Sequence, residues 1–338
     1  MFIGGLTLKQ TRRHRLSLLT AALTVALGIT ASHEAAAQAW PAKPIRMVVP
    51  YPAGGNADIT ARLVARKMSD SLGTPIVIEN RGGANGGIGT EVVAKAAPDG
   101  YTLLAAASGP IVINPVLLKK VPYDPLKDLS AISQILTFQY VLVTPASSPI
   151  KSLQALIDQA KAKPGSLSYG STGVGGGGHL AGELLALMSQ TQLNHVPYKG
   201  SAPALADLIG GHLAFTYDTV ITSTPLIKSG QLRAFAVSGP ARAGSLPEVP
   251  TMQELGYQGF EVTQFVGLFA PAGTDPAIVN RLHREVALAI KSDELIQKIE
   301  VQGGNQLVGS SPADFTSLIQ RELSMYDKLI KGANIQAP

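Results

Sequence analysis

The chain of 338 residues contains no cysteine. That absence excludes disulfide staples, cysteine-ligated zinc and cysteine nucleophiles in one step, and with them a lipid-modified N-terminal cysteine. Charged residues are scarce at 15% and aromatic residues at 5%, yet 45% of the chain is hydrophobic, which excludes a disordered polymer and is ample for sizeable cores. The G-x-x-x-x-G-K-[ST], G-x-S-x-G and H-E-x-x-H patterns are missing. A nucleotide-gripping P-loop, a hydrolase elbow and a zincin helix therefore have no support. Beyond residue 39 no run reaches 18 apolar residues, so the remainder is expected to be soluble. Its length suits roughly two domains of about 150 residues, and no repeat of solenoid period is visible.

The net charge of +5 invites a nucleic-acid reading until its source is located. Residues 1–39 hold Lys9, Arg12, Arg13 and Arg15 against the single acid Glu34. Without that segment 24 basic and 22 acidic residues remain, a net charge of only +2, and no basic stripe of the kind nucleic acid requires. Behind the basic cluster runs apolar Leu16–Ile29, too short for a span of about 20 residues. Ala35-Ala36-Ala37-Gln38-Ala39 follows. Basic, apolar, then A-x-A is the order of a secretory signal peptide, with cleavage expected after Ala39 or else after Ala37. Arg12-Arg13 hints at twin-arginine export, but Arg15 stands where that motif takes an apolar residue, so the general secretory route is expected.

The mature chain alternates β-branched runs with helical patterns. Strands are predicted at Ile45–Val49, Ile76–Glu79, Tyr101–Ala106, Tyr140–Thr144, Leu167–Tyr169, Asn194–Val196, Leu213–Tyr217 and Leu232–Val237. Helices are predicted at Asp58–Leu72, Ile88–Ala96, Ser152–Ala162, His179–Met188, Pro203–Ile209 and Thr222–Lys228. Such alternation argues for an α/β fold with largely parallel sheets. Near the C-terminus, Asp275-Pro276 marks a helix start, and Ser311-Pro312-Ala313-Asp314 resembles a capping box. Pro/Ser/Gly punctuation at Thr144–Pro149 and Ser238–Pro250 suggests a split with about 141–240 in one lobe and the flanking segments in the other.

Two glycine-rich strand-to-helix junctions are the most informative segments. In Tyr51-Pro52-Ala53-Gly54-Gly55-Asn56-Ala57-Asp58, glycines permit close backbone approach, and the following helix presents free N–H groups and a positive dipole end. A carboxylate or phosphate is the natural guest, with Asp58 fixing the loop through backbone N–H groups rather than touching an anion. A glycine turn without a ligand is the alternative that the loop alone leaves open. Ser171-Thr172-Gly173-Val174, followed by Gly175–Gly178, has the same layout and adds hydroxyls, as in an anion cradle. Its match to G-x-G-x-x-G lacks an acidic residue about 20 positions on, which weakens a dinucleotide reading. Arg81–Gly89 reads mainly as a structural turn. Ser108, Tyr198 and Asp218 stand just past strand ends and are candidate cleft residues. His179 and Glu183 are four apart, but two side chains do not make a metal site. No nucleophile–base pair is recognisable.

These segments, in this order, resemble the Bug family, the substrate-binding proteins of tripartite tricarboxylate transporters. The matching stretches run from Trp40-Pro41-Ala42-Lys43-Pro44-Ile45-Arg46 through the Tyr51–Asp58 loop, Glu79-Asn80-Arg81-Gly82 and Ala97-Pro98-Asp99-Gly100-Tyr101. They continue through Pro122-Tyr123-Asp124-Pro125, His195-Val196-Pro197-Tyr198-Lys199-Gly200, Leu246-Pro247-Glu248-Val249-Pro250-Thr251 and Ala270-Pro271-Ala272-Gly273-Thr274. The resemblance implies a two-lobed periplasmic binding protein of type II, with two crossover hinge segments and hinge closure on a ligand. It places residues 40–140 and 241–338 in lobe 1 and 141–240 in lobe 2. One carboxylate of a di- or aromatic acid, such as terephthalate or a C4–C6 dicarboxylate, would be held by backbone groups and waters of two loops, which match Tyr51–Asp58 and Ser171–Val174.

The expected binding set is Tyr51, Ala53, Gly54, Gly55, Asn56, Asp58, Ser108, Ser171, Thr172, Gly173, Val174, Tyr198 and Asp218. No catalytic residue, metal or cofactor is implied. The expected partners are the carboxylate and membrane transporter subunits, with no nucleic acid, and the chain is expected to be a periplasmic monomer. A secreted hydrolase and a sensing or interaction protein on the same fold are the alternatives.

Overall fold

The computed structural model describes residues 40–118 and 120–332; the expected export segment and its cleavage site lie outside them. From Lys43 onward the chain begins with β1 (Ile45–Val49), α1 (Asn56–Leu72), β2 (Ile76–Asn80), α2 (Gly87–Ala94) and β3 (Thr102–Ala107). β1 lies parallel to both β2 and β3. Its residues are almost wholly buried, the pattern of a strand covered on both faces. α1 stops where Gly73 takes a left-handed conformation (φ 66°), which only glycine adopts without strain.

The second run comprises β4 (Leu129–Pro145), α3 (Leu153–Ala162), β5 (Ser168–Ser171), α4 (Gly177–Ser189), β6 (Asn194–Pro197), α5 (Ser201–Ile209), β7 (Phe215–Thr219), α6 (Val220–Lys228) and β8 (Leu232–Val237). β5 runs parallel to β6 and β7. The chain then returns through β9 (Thr263–Pro271), α7 (Pro276–Ala289), β10 (Gln306–Leu307) and α8 (Pro312–Gly332). Both late helices start as their caps dictate: Asp275 Oδ1 accepts the Ala277 N–H at 2.8 Å, and Ser311 Oγ accepts the Asp314 N–H at 3.1 Å.

The strand order is β2-β1-β3-β9-β4-β7-β5-β6, with β8 and β10 also paired to β4. The expectation of largely parallel sheets needs correction. The outer strands are parallel, but β9 is antiparallel to β3 and β4, and β4 is antiparallel to β7, β8 and β10. The reversal comes from β9 and from β4, which carries the chain across the middle of the molecule. β4 is one unbroken strand of 17 residues, of which the sequence pattern revealed only Tyr140–Thr144. Residues 129–139 pair with β9, and residues 140–145 pair with β7 and β8. Ser238 locks the return crossing: its hydroxyl donates to Val262 O at 2.6 Å and accepts the Tyr140 N–H at 2.9 Å.

Two apolar clusters flank this middle. One gathers Val48, Leu104, Ile111, Phe265, Phe269 and Phe315; the other gathers Val141, Val143, Leu205, Leu208, Val220 and Val237. Each fully buried large side chain in them is worth about 1.5–3 kcal/mol relative to exposure. The structure is thus a two-lobed α/β fold crossed by β4 and by the return segment at Ser238.

Candidate functional site

Both glycine junctions face a single cavity of about 90 Å³. Tyr51, Pro52, Ala53, Gly55, Asn56 and Ala57 line it from the first junction, and Thr172, Gly176 and Gly177 line it from the second. A larger cavity of about 600 Å³ adjoins it, sharing Tyr51, Pro52, Asn85 and Thr172 and adding Gly173, Val174, Tyr198 and Lys199. The lobes approach closely here. A Cβ on Gly200 would lie 3.4 Å from the Pro52 ring, and one on Gly176 would lie 3.7 Å from Asn85 Oδ1.

The first junction is held by a buried charge. Asp58 is 2% exposed. Its Oδ2 accepts the Gly54 N–H at 2.9 Å and Arg62 Nε at 2.9 Å, and its Oδ1 accepts Asn80 Nδ2 at 2.8 Å. Asn80 Nδ2 also donates to the Tyr51 carbonyl at 3.0 Å, so the carboxylate and the loop backbone share one donor. Burial pushes the Asp58 pKa up, but the hydrogen bonds from Arg62, Gly54 and Asn80 outweigh it and hold the carboxyl below its ordinary value. Asp58 therefore stays ionised and shapes the loop, as its sequence position suggested. Neither it nor Gly54 lines the cavities.

The second junction is held by neutral groups. Ser171 Oγ accepts the Gly173 N–H at 3.2 Å and lies 2.6 Å from His195 Nε2. His179 Nδ1 accepts the Gly175 N–H at 3.2 Å. The two imidazoles stack at 4.1 Å, and Tyr169 packs against His195 at 5.0 Å. Burial, then the neighbouring His179, depresses the His195 pKa to about 3; burial also lowers that of His179, against a smaller opposing pull from Glu183. Both rings are neutral at ordinary pH. The Ser171–His195 contact is no nucleophile–base pair facing a substrate, because Ser171 is buried, does not line the cavities, and is engaged by the Gly173 backbone.

The remaining sequence candidates sit as follows. Tyr198 lines the larger cavity, its hydroxyl donating to Asp207 at 2.7 Å; desolvation and Asp207 raise its pKa to about 12. Ser108 is fully buried, and its hydroxyl accepts the Phe265 N–H at 3.0 Å, tying β3 to β9 away from the cavity lining. Asp218 is 1% exposed and also lies behind the lining. It accepts hydroxyls from Ser201 at 2.6 Å, Thr222, and Ser223 at 3.0 Å, fastening the first turns of α5 and α6. Burial raises its pKa despite these donors.

Asn85, Phe138, Tyr140, Ser201, Thr219 and Gln264 also line the smaller cavity; the sequence places Ser201 with Tyr198 in a candidate cleft segment and Asn85 in a mainly structural turn, and does not point to the other four. Asn85 stands in the third glycine-rich turn and donates to Asn114 Oδ1 at 3.0 Å. Phe138 and Tyr140 come from β4 and Gln264 from β9, in a register that pairs Phe138 with Gln264. A single glutamine near the start of an otherwise apolar run was the available signal for the last. No side chain lining the smaller cavity is Asp, Glu, Lys, Arg or His. Among the described residues no cluster of ligating side chains could hold a metal ion. The site's chemistry is thus that of hydrogen-bond donors and apolar walls: it can hold an anion through backbone amides and hydroxyls, and it offers no reacting pair.

Comparison with known proteins agrees with this architecture. Residues 60–335 match TctC, the tripartite tricarboxylate transporter family receptor. Protein BugT of Bordetella pertussis is 39% identical over 89% of this chain and 93% of its own length. The structure of the periplasmic binding protein BugD superposes with a TM-score of 0.83 at 32% identity, covering 88% of this chain and 99% of that one. A protein of R. palustris solved with adipate gives a TM-score of 0.85 at 35% identity, covering 88% and 99%. The family is one of receptors, which bind rather than turn over their solutes. On this match the chain belongs to the tripartite tricarboxylate transporter receptor family, and so to the Bug proteins within it.

Proposed function

We propose that this receptor captures an organic acid, a di- or aromatic carboxylate, in the cleft between its two glycine junctions and delivers it to membrane transporter subunits. The observation that carries the reading is the shared cavity: two helix-opening loops, remote in sequence, line one space that holds no charged side chain. Free N–H groups at such helix starts favour a carboxylate, and bridging waters can complete its hydrogen bonds. The adipate seen in the R. palustris relative supports the same class.

In this reading residues 40–140 and 241–338 form one lobe and 141–240 the other. β4 and the segment around Ser238 serve as hinges, and the ligand favours the closed form through its differential affinity. Asp58, Ser171 and Asp218 hold the loops in shape; Tyr51, Ala53, Gly55, Asn56 and Thr172 face the ligand. The protein acts as a monomer in the periplasm, released from its export segment near Ala39, without nucleic acid or cofactor. Calorimetry and thermal melts with adipate, succinate, citrate, terephthalate and nicotinate test the proposal. A ligand at 100 times its Kd raises stability by about 2.7 kcal/mol, seen as a higher Tm. Neither heat nor a Tm shift across the panel overturns it.

A further inference from the structure

The turn that precedes α2 carries a carboxamide at the seam between the two cavities. Asn85 lines both of them. Its backbone is left-handed (φ 47°), as is that of Ala84 (φ 48°), a conformation that residues with side chains hold only where their surroundings impose it. Asn114, 1% exposed, supplies the restraint: its Nδ2 donates to Ala84 O at 3.0 Å and to Asn85 O at 3.3 Å. Backbone carbonyls only accept, so they fix which end of the Asn114 amide is nitrogen and leave its Oδ1 for Asn85. Asn85 meets that oxygen with its Nδ2 at 3.0 Å. The position of Asn85 Oδ1 is thereby set, through two successive amides, by main-chain groups.

This oxygen accepts no hydrogen bond among the described residues and keeps accessible surface. The carboxamide rests on Gly109, where a Cβ would stand 2.8 Å from Nδ2 and 2.9 Å from Oδ1. On the other side, a Cβ on Gly176 would lie 3.7 Å from Asn85 Oδ1 and 3.3 Å from Thr172 Oγ1. Asn85 Oδ1 and the Thr172 hydroxyl thus flank the residue that caps α4, and Thr172 and Gly176 both line the smaller cavity. A hydroxyl donates or accepts as its partner requires, whereas a carboxamide oxygen only accepts. Asn85 therefore sets the polarity of this corner: an acceptor left without a donor, beside amides suited to a carboxylate.

Resting on the carboxylate reading above, we propose that Asn85 is a specificity-determining residue, its Oδ1 accepting a hydrogen bond from a donor on the ligand carbon next to the bound carboxylate. The position follows from Gly176: a carboxylate held at the start of α4 brings its neighbouring carbon against Asn85. An acid with a hydroxyl or ammonium on that carbon is preferred to one with hydrogen alone. An acid with a keto oxygen there is rejected, because two acceptors would face each other.

The test is calorimetry on the receptor as exported. One series is glutarate, 2-hydroxyglutarate, glutamate and 2-oxoglutarate. A second is phenylacetate, mandelate, phenylglycine and phenylglyoxylate, with both enantiomers of each chiral acid. Within a series that binds, the better enantiomer of a donor-bearing acid should bind about tenfold or more tightly than the keto acid. Asn85→Gly removes the carboxamide at a backbone angle that glycine adopts freely, and should bring that ratio below about threefold. Asn85→Asp keeps an acceptor and should keep the rejection of the keto acid. A merely structural role for Asn85 would shift Tm and all affinities together and leave the ratio alone. Wild-type protein that binds the keto acid as tightly as the donor-bearing ones overturns the inference without any variant; so does a ratio that survives in Asn85→Gly. A flat ratio with clear binding removes this inference alone, whereas no binding of any of these acids removes the carboxylate reading and this inference with it.

Discussion

The two junctions that meet at the cavity share a layout of strand, glycine turn and helix, yet they are fastened by opposite means. The first depends on the ionised Asp58, bridged to the Gly54 backbone, Asn80 and Arg62. The second depends on Ser171 and a stacked pair of neutral histidines. Packing differs as well. A Cβ on Gly177 would run into the Tyr140 ring and one on Gly178 into the Tyr217 carbonyl, whereas a Cβ on Gly55 would meet nothing nearer than the Pro52 carbonyl at 3.8 Å. A glycine run therefore carries different meanings in the two loops. In the second it is required by close approach of neighbours; in the first Gly54 supplies a left-handed turn (φ 83°) and Gly55 keeps the backbone bare toward the cavity.

The largest expected effect separates the loops on packing. Gly177→Ala should cost about 1–3 kcal/mol of stability, since the Tyr140 ring cannot yield without losing its bond to Gln264. Gly55→Ala should change stability by less than about 0.5 kcal/mol, because Gly55 has ordinary backbone angles and open space. Chemical denaturation of both variants decides it, and equal losses would erase the contrast. Next in size is Asp58→Ala, which removes the acceptor of the Gly54 N–H and one of the two acceptors of the Asn80 amide. A loss of about 2 kcal/mol is expected, against about 1 kcal/mol for Ser171→Ala.

The third prediction uses pH. His195 has a folded pKa near 3, below its ordinary 6.5, so the unfolded chain takes up the proton first. Its contribution is complete above about pH 6.5 and is lost as pH falls toward 3. Asp58 is also depressed, but its contribution is complete above the ordinary carboxylate pKa of about 4 and fails only below it. Between pH 6.5 and 4, then, only the second junction should weaken. His195→Gln should flatten the fall of Tm across that window relative to wild type, and Asp58→Asn should leave the slope unchanged. The smallest effect belongs to Arg62→Lys. That guanidinium is half exposed and bridges Asp58 and Asn80 at 2.9 Å each, and replacing it should cost within about 1 kcal/mol, read from the same melts.

Local chemistry made both junctions legible in the sequence. Glycines, a preceding β-branched run and a following helical pattern occupy adjacent positions, so Tyr51–Asp58 and Ser171–Val174 could be read without knowing the fold. The caps at Asp275 and Ser311 were legible for the same reason. The cavity floor was not. Tyr140 and Gln264 are hydrogen-bonded across 124 positions, and only the β4–β9 register brings them together. β9 escapes periodicity because it is buried on both faces, leaving no alternation to detect. Ser108 and Asp218 stand at strand ends as a cleft residue should, but both side chains turn inward: one serves the Phe265 backbone, the other the hydroxyls that open α5 and α6. Position relative to a strand end is visible in one dimension; the direction of a side chain is not.

The convergence of the two junctions on one carboxylate is tested most directly by backbone amide NMR during a titration with adipate. The account predicts that the amide signals of Gly55 and Asn56 and those of Thr172 and Gly176 move together, with one common Kd. Shifts confined to a single junction, or two junctions titrating with different affinities, would contradict it.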